Sequence, residues 1–232
     1  MMYRRRFLVA LLILLLGPLQ ACKTANEVSQ GDGTLRVVNG TCKVTFKTET
    51  KTINAGASVP IQMGAMLETD ANGTAVVNWG KTSQILQKNT TLTFVAGSTI
   101  PDYGVGKVEL LKGVASFFLP KSDTPEFKFQ ASSHSIVAAV KGTMFQMTAD
   151  EKDASATVET MKGTVFVFQR SDGAAASDSK PSDAGDLLAT VEKGESYASK
   201  AAAFSKTANS AESITAWELM QAFLLQKPIM SF

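Results

Sequence analysis

From Thr34 to about Ser199 the chain is a succession of short runs rich in Val, Thr, Ile and Phe, each closed by Gly, Asn, Asp or Pro. This punctuation constrains the fold more than any other feature, because runs of four to eight such residues bounded by turn formers are strands. Eleven of them stand out: 34–38, 42–48, 74–79, 91–95, 107–111, 114–119, 126–130, 136–140, 143–148, 154–160 and 164–169. Their connections are short enough to join antiparallel neighbours. The fold class they predict is all-β, an antiparallel meander forming a twisted sandwich or β-roll over residues 34–199.

Asn72-Gly73 is the best primed-turn signal in the chain, and Gly80-Lys81 can turn the next hairpin. Lys-Gly recurs between apolar runs at 112–113, 141–142, 162–163 and 193–194, with spacings too uneven for a solenoid. These glycines read as turn or bulge positions with positive φ, and the lysines as exposed beside them. Residues 170–186, RSDGAAASDSKPSDAGD, bury too little apolar area to offset ordering and read as a mobile loop between two strands. The period then changes within the C-terminal segment 200–232. Asn209-x-x-Glu212 resembles a capping box, and Ile214, Trp217, Met220, Phe223 and Leu224 recur at helical spacing until Lys227-Pro228. An amphipathic helix over about 210–226 is expected, packed on the β domain or facing a partner or membrane.

The N-terminus speaks to compartment. Arg4, Arg5 and Arg6 precede an unbroken apolar stretch from Phe7 to Leu16, too short to span a bilayer, and Gly17-Pro18 then break the helix. Leu19-Gln20-Ala21-Cys22 follows, the order of a bacterial lipoprotein signal. Residues 1–21 are therefore expected to be removed, leaving a lipidated Cys22 that attaches the protein to a membrane through a tether, 22–33. Extended, that tether reaches about 35 Å. Arg4-Arg5 also resembles part of a twin-arginine signal, although the Leu-rich core favours general secretion. Lys23, rather than Asp, after the lipid position favours the outer membrane of a Gram-negative cell.

Loss of three Arg with the signal takes the formal charge from +2 to −1. No Lys/Arg-rich block remains, so a nucleic-acid partner is excluded as a class. If acylation consumes the Cys22 sulfur, Cys42 has no intrachain disulfide partner. It alternates with Val44 and Phe46 on one strand face and reads as a small buried hydrophobe, with a reactive or intermolecularly paired thiol as the alternative.

Ile136 to Gln169 contains Ala139-Val140-Lys141-Gly142-Thr143-Met144-Phe145 and, after a polar turn, Gly163-Thr164-Val165-Phe166-Val167. Upstream stand Gly64-Ala65-Met66-Leu67-Glu68-Thr69, Ala75-Val76-Val77-Asn78-Trp79-Gly80 and Val108-Glu109-Leu110-Leu111-Lys112-Gly113-Val114. In this order the segments resemble the FecR family of periplasmic β domains, from roughly Gly56 to Ser199, with Lys141 where the family more often has Arg. The family includes transmembrane regulators that control a sigma factor from a cytoplasmic segment. Only six residues precede the apolar run here, so the resemblance implies the β domain without that effector. It also implies a habit of binding envelope proteins, by strand addition or face contact.

Catalytic chemistry finds little support. His134 is the single histidine, in Ser132-Ser133-His134-Ser135, and no Gly-x-Ser-x-Gly elbow is present. With one His and one Cys left after processing, no metal-ligand spacing emerges, and no cofactor motif is found. Asp70, Asp123, Asp150 and Asp153 lie near turns, where carboxylates bond local backbone N–H groups. Phe117, Phe118, Phe127, Phe129, Phe145, Phe166 and Phe168 read as sheet core, with a carbohydrate-stacking face as the alternative. The expectation is a non-enzymatic envelope lipoprotein whose β domain binds another envelope protein in sensing or signalling. The competing reading is a structural component that binds peptidoglycan or polysaccharide; a hydrolase using His134 or an Asp is the third.

Overall fold

The computed structural model describes residues 33–100, 103–121, 127, 129–170, 185–200 and 203–208. The signal, Cys22, Asp123, most of the 170–186 loop and the helix expected at 210–226 lie outside them. The described residues are strands and turns, nineteen strands numbered here in chain order.

Two sheets face each other. In sheet A the neighbours run β4 (Ser58–Ile61), β1 (Gly33–Asn39), β6 (Thr74–Trp79), β7 (Thr82–Leu86), β11 (Lys107–Phe118), β14 (Met144–Asp150), β15 (Ser155–Lys162), β18 (Glu195–Lys200) and β19 (Ala203–Ala208). In sheet B they run β3 (Glu49–Asn54), β2 (Thr41–Phe46), β5 (Met66–Thr69), β8 (Thr91–Phe94), β11 again, β12 (Phe129–Ser133), β13 (Ile136–Val140), β16 (Thr164–Gln169) and β17 (Leu187–Glu192). A two-stranded ribbon of β9 (Thr99–Ile100) and β10 (Gly104–Val105) stands apart. The pairings are antiparallel except β11 with β12. The all-β class holds among the described residues. The meander is only local, however: hairpins β12–β13, β14–β15, β16–β17 and β18–β19 fall alternately in sheets B, A, B and A.

β11 joins the two layers. Val108–Leu110 pair with β8 in sheet B, and Gly113–Phe118 pair with β14 in sheet A. The runs 107–111 and 114–119 are thus one strand, irregular between Leu110 and Lys112. Gly113 sits at φ +88 with its missing Cβ position 2.6 Å from Thr90 Cα and 2.7 Å from the Asn89 carbonyl oxygen. A side chain there would strain the backbone and strike the neighbouring chain. Thr90 closes the bend, its Oγ1 accepting from Val114 N at 3.0 Å.

All four Lys-Gly glycines have positive φ, +88, +121, +84 and +82 in order. Lys162 and Lys193 are exposed, whereas Lys112 and Lys141 are half-buried. Gly80-Lys81 turns the β6–β7 hairpin as expected. Asn72-Gly73 does not make a hairpin: it carries the chain from β5 in sheet B to β6 in sheet A. The strands without a clear sequence signal are short or polar. β3 reads ETKTIN and lies at the sheet edge with five of its six residues exposed, so no buried face writes alternation into it.

Core side chains come from both sheets. Phe117 and Phe145 of sheet A stack at 4.8 Å, and Phe117 meets Phe129 of sheet B at 5.3 Å. Trp79 of sheet A meets Phe94 of sheet B at 5.1 Å. All five rings are fully buried, each worth about 1.5–3 kcal/mol of transfer free energy. Cys42 lies in this core with no exposed surface. The sheet also continues past Ser199, since β19 pairs along β18 from Glu195↔Ala208 to Lys200↔Ala203.

Candidate functional site

β16 reads Thr-Val-Phe-Val-Phe-Gln, apolar on both faces. Val165 and Val167 enter the core, so the strand period turns Phe166 and Phe168 outward from sheet B, where both are half-buried. Phe127 meets them edge-on, at 5.3 Å and 70° from Phe166 and 6.1 Å and 85° from Phe168. The rings therefore interlock in the edge-to-face geometry favoured by the aromatic quadrupole. Lys141 Nζ stands 5.0 Å from the Phe127 centroid, a cation–π distance.

The register defines the surroundings. One row on this outer face runs Lys107, Gln130, Ala139, Phe166, Thr190, and the next runs Glu109, Ser132, Val137, Phe168, Leu187. Ala139 has no exposed surface and Val137 only 4 %, which fits the Phe127 ring above this part of the sheet. Leu187, at the row's end, is 53 % exposed. Arg170 Nη1 meets Glu109 Oε1 at 2.7 Å on the opposite side. A hollow of about 120 Å³ opens beside the rings, lined among others by Ser98, Ile100, Lys107 and Gln130.

This placement corrects the expectation that all seven Phe form the core. Phe117, Phe129 and Phe145 do, whereas Phe127, Phe166 and Phe168 form an outer cluster and Phe118 is half-buried on the outside of sheet A. The available signal was in β16 itself, since a strand apolar on both faces is covered on both faces.

Among the described residues, those weighed for catalysis lie at separate turns, Asp150 and Asp153 sharing one. His134 occupies the two-residue turn between β12 and β13 at φ +44 and is half-buried. Asp70 accepts from Thr41 Oγ1 at 2.6 Å and Thr41 N at 2.8 Å through Oδ2, and from Asn72 N at 2.8 Å through Oδ1. These bonds, the Thr41 hydroxyl first, hold its carboxyl below the usual carboxylate value. Asp150 and Asp153 accept from Lys152 N and Ser155 N. The three Asp shape turns. Burial pushes the Cys42 thiol up to about 11, the inert state of a core thiol. Among the described residues no three His, Cys, Asp or Glu side chains stand together as a metal site.

The Ala139–Phe145 segment is the corner at which the chain leaves β13 in sheet B for β14 in sheet A. Thr143 is 3 % exposed and its Oγ1 donates to the Thr164 carbonyl at 3.1 Å, while its own carbonyl accepts from Leu119 N at 3.0 Å. The motif thus locks three segments and aims Lys141 at Phe127. Residues 65–166, which contain this corner, match the family model described as FecR protein. The match makes this stretch FecR-like. It spans β5 to β16 and lies within the Gly56–Ser199 span of the sequence resemblance, with β1–β4 and β17–β19 flanking it in the same two sheets.

Two solved structures of a candidate anti-sigma factor from Parabacteroides distasonis ATCC 8503 are similar to this chain at 17% and 18% identity, each with a TM-score of 0.48. The alignments cover 66% of this chain and 64% and 63% of those chains, so this chain spans somewhat under two thirds of their length. No curated protein matches it.

Proposed function

We propose that this chain is a non-enzymatic envelope lipoprotein, tethered through a lipidated Cys22, whose β domain binds another envelope protein in a sensing or signalling role. FecR-like proteins are envelope-associated, which agrees with the export signal read from residues 1–22. The observation that carries the binding role is the Phe127, Phe166, Phe168 cluster on the outer face of sheet B, continued by exposed Leu187. Clustered aromatics on an outer face, rimmed by Lys141 and the Arg170–Glu109 pair, have the composition of a protein interface: apolar anchors with a charged rim.

The neighbouring edge favours the same place. β17 ends sheet B among the described residues and reads Leu-Leu-Ala-Thr-Val-Glu, with neither Pro nor Lys along it. The opposite edges are blunted, β3 by Glu49 and Lys51 and β4 by Pro60. A partner on the aromatic face can therefore also pair with β17. The interlocked ring edges, with Lys141 over Phe127, make a poor flat platform for a sugar, so protein is preferred to polysaccharide.

The test is photo-crosslinking from position 168 in cells, compared with the Phe166→Ser/Phe168→Ser variant. A discrete crosslinked protein, lost in the double variant while the domain stays folded, supports the proposal. Saturable pelleting with purified cell wall and no crosslinked protein would overturn it in favour of polysaccharide binding.

A further inference from the structure

The outside of sheet A carries a buried apolar pair of its own. Val76 and Ile85 are direct cross-strand partners on β6 and β7, and both point away from the core formed by Val77 and Leu86. Yet Ile85 has no exposed surface and Val76 only 6 %. The cross-strand row through them runs Val76, Ile85, Ser116, Gln146, Glu159, Ser196, Thr207. Ser116 also has no exposed surface, and Glu159 has its carboxyl pushed up by burial. An uncovered sheet face leaves the centre of such a row open to water. The extensive strand–strand contacts among the described residues run between hydrogen-bonded neighbours or between the two sheets, and none crosses this face.

We propose that the C-terminal stripe Ile214, Trp217, Met220, Phe223 and Leu224 covers this face, with Phe223 and Leu224 against Val76 and Ile85. The chain reaches residue 209 from Ala208, the last residue of edge strand β19, whose Thr207 ends the same row. From β19 across β18, β15, β14 and β11 to β7 is five strand spacings, about 24 Å at roughly 4.8 Å each. A helix over 210–226 is about 25 Å long at roughly 1.5 Å per residue. The expected helix is therefore long enough to begin over the polar end, at Ser196, and its stripe from Ile214 to Leu224, about 15 Å at roughly 1.5 Å per residue, matches the three spacings from Glu159 to Ile85. Burying its aromatic and aliphatic face there also removes from water a terminus whose apolar residues would otherwise favour association. Sheet A is closed by the chain's own tail, which leaves the aromatic face of sheet B as the surface for other molecules.

The two tryptophans, Trp79 in the core and Trp217 in the stripe, make the test direct. In the full mature chain, the difference in fluorescence between wild type and Trp217→Phe reports Trp217 alone. Its emission should be blue-shifted, and iodide should quench it several-fold less than in the free 209–232 peptide, independently of protein concentration. Ile85→Glu should restore quenching to the peptide's level; if that variant does not fold, Ile85→Ser should raise it part of the way. Fully quenchable Trp217 in the folded chain overturns the proposal, as does shielding that Ile85 variants leave untouched. Shielding that appears only as concentration rises assigns the cover to a second copy and overturns it equally.

Discussion

At the scale of single residues, environment decides chemistry that composition leaves open. Cys42 is nominally a reactive thiol in an exported chain, but its alternation with Val44 and Phe46 sends it into the core, where burial raises its pKa to about 11. It should resist a thiol reagent at pH 8 in the folded protein and react on denaturation, and Cys42→Ser should cost about 1–3 kcal/mol by burying a hydroxyl. Asp70 shows the opposite shift. Its folded-state pKa is depressed by Thr41 and Asn72, so its contribution is present above the ordinary carboxylate value and lost as pH falls through the folded one. Asp70→Asn should lower the melting temperature at neutral pH, and the difference from wild type should close in strong acid. The turn role of this Asp was legible, because Asp before Asn-Gly bonds local N–H groups. Its long-range partner Thr41, on β2, was not, because only the fold brings the two together.

At the scale of elements, the bend in β11 and the outer row of sheet A carry the consequences. Gly113→Ala forces a Cβ onto Thr90 Cα and the Asn89 carbonyl at positive φ. It should cost about 2 kcal/mol or more by chemical denaturation, well above the ordinary Gly-to-Ala effect in a relaxed strand. Glu159 lies between Gln146 and Ser196 in its row, and burial raises its folded-state pKa. The protonated form is thus favoured by folding, and stability falls as pH rises through the raised value. Glu159→Gln should raise the melting temperature at neutral pH, with the gain vanishing below the ordinary carboxylate range. The Lys-Gly pairs announced positive φ at four positions, and all four have it. That Lys112-Gly113 bends one strand between two sheets, rather than ending one and starting another, was hidden because apolar runs on either side look alike in both cases.

At the scale of the whole molecule, the two kinds of Phe should separate stability from binding. Phe145→Ala opens the inter-sheet core and should cost about 3–5 kcal/mol, whereas Phe168→Ser, half-buried on the outer face, should cost under about 1 kcal/mol and reduce partner capture. Denaturation curves set beside crosslinking yields check both. The amino-acid sequence by itself determined that the described residues are β, where most central strands lie, which Lys-Gly glycines take positive φ, and that a FecR-like pattern runs through the Gly56–Ser199 span, within which the family model matches residues 65–166. These are local properties: period, turn chemistry and short motifs act over a few residues. Only the tertiary structure decided that hairpins alternate between two sheets, that Phe166 and Phe168 face outward beside Phe127, and that Val76 and Ile85 lie buried on the far side. A strand's period separates its two faces but does not say which face meets the core, and that assignment comes from pairings made across tens of residues.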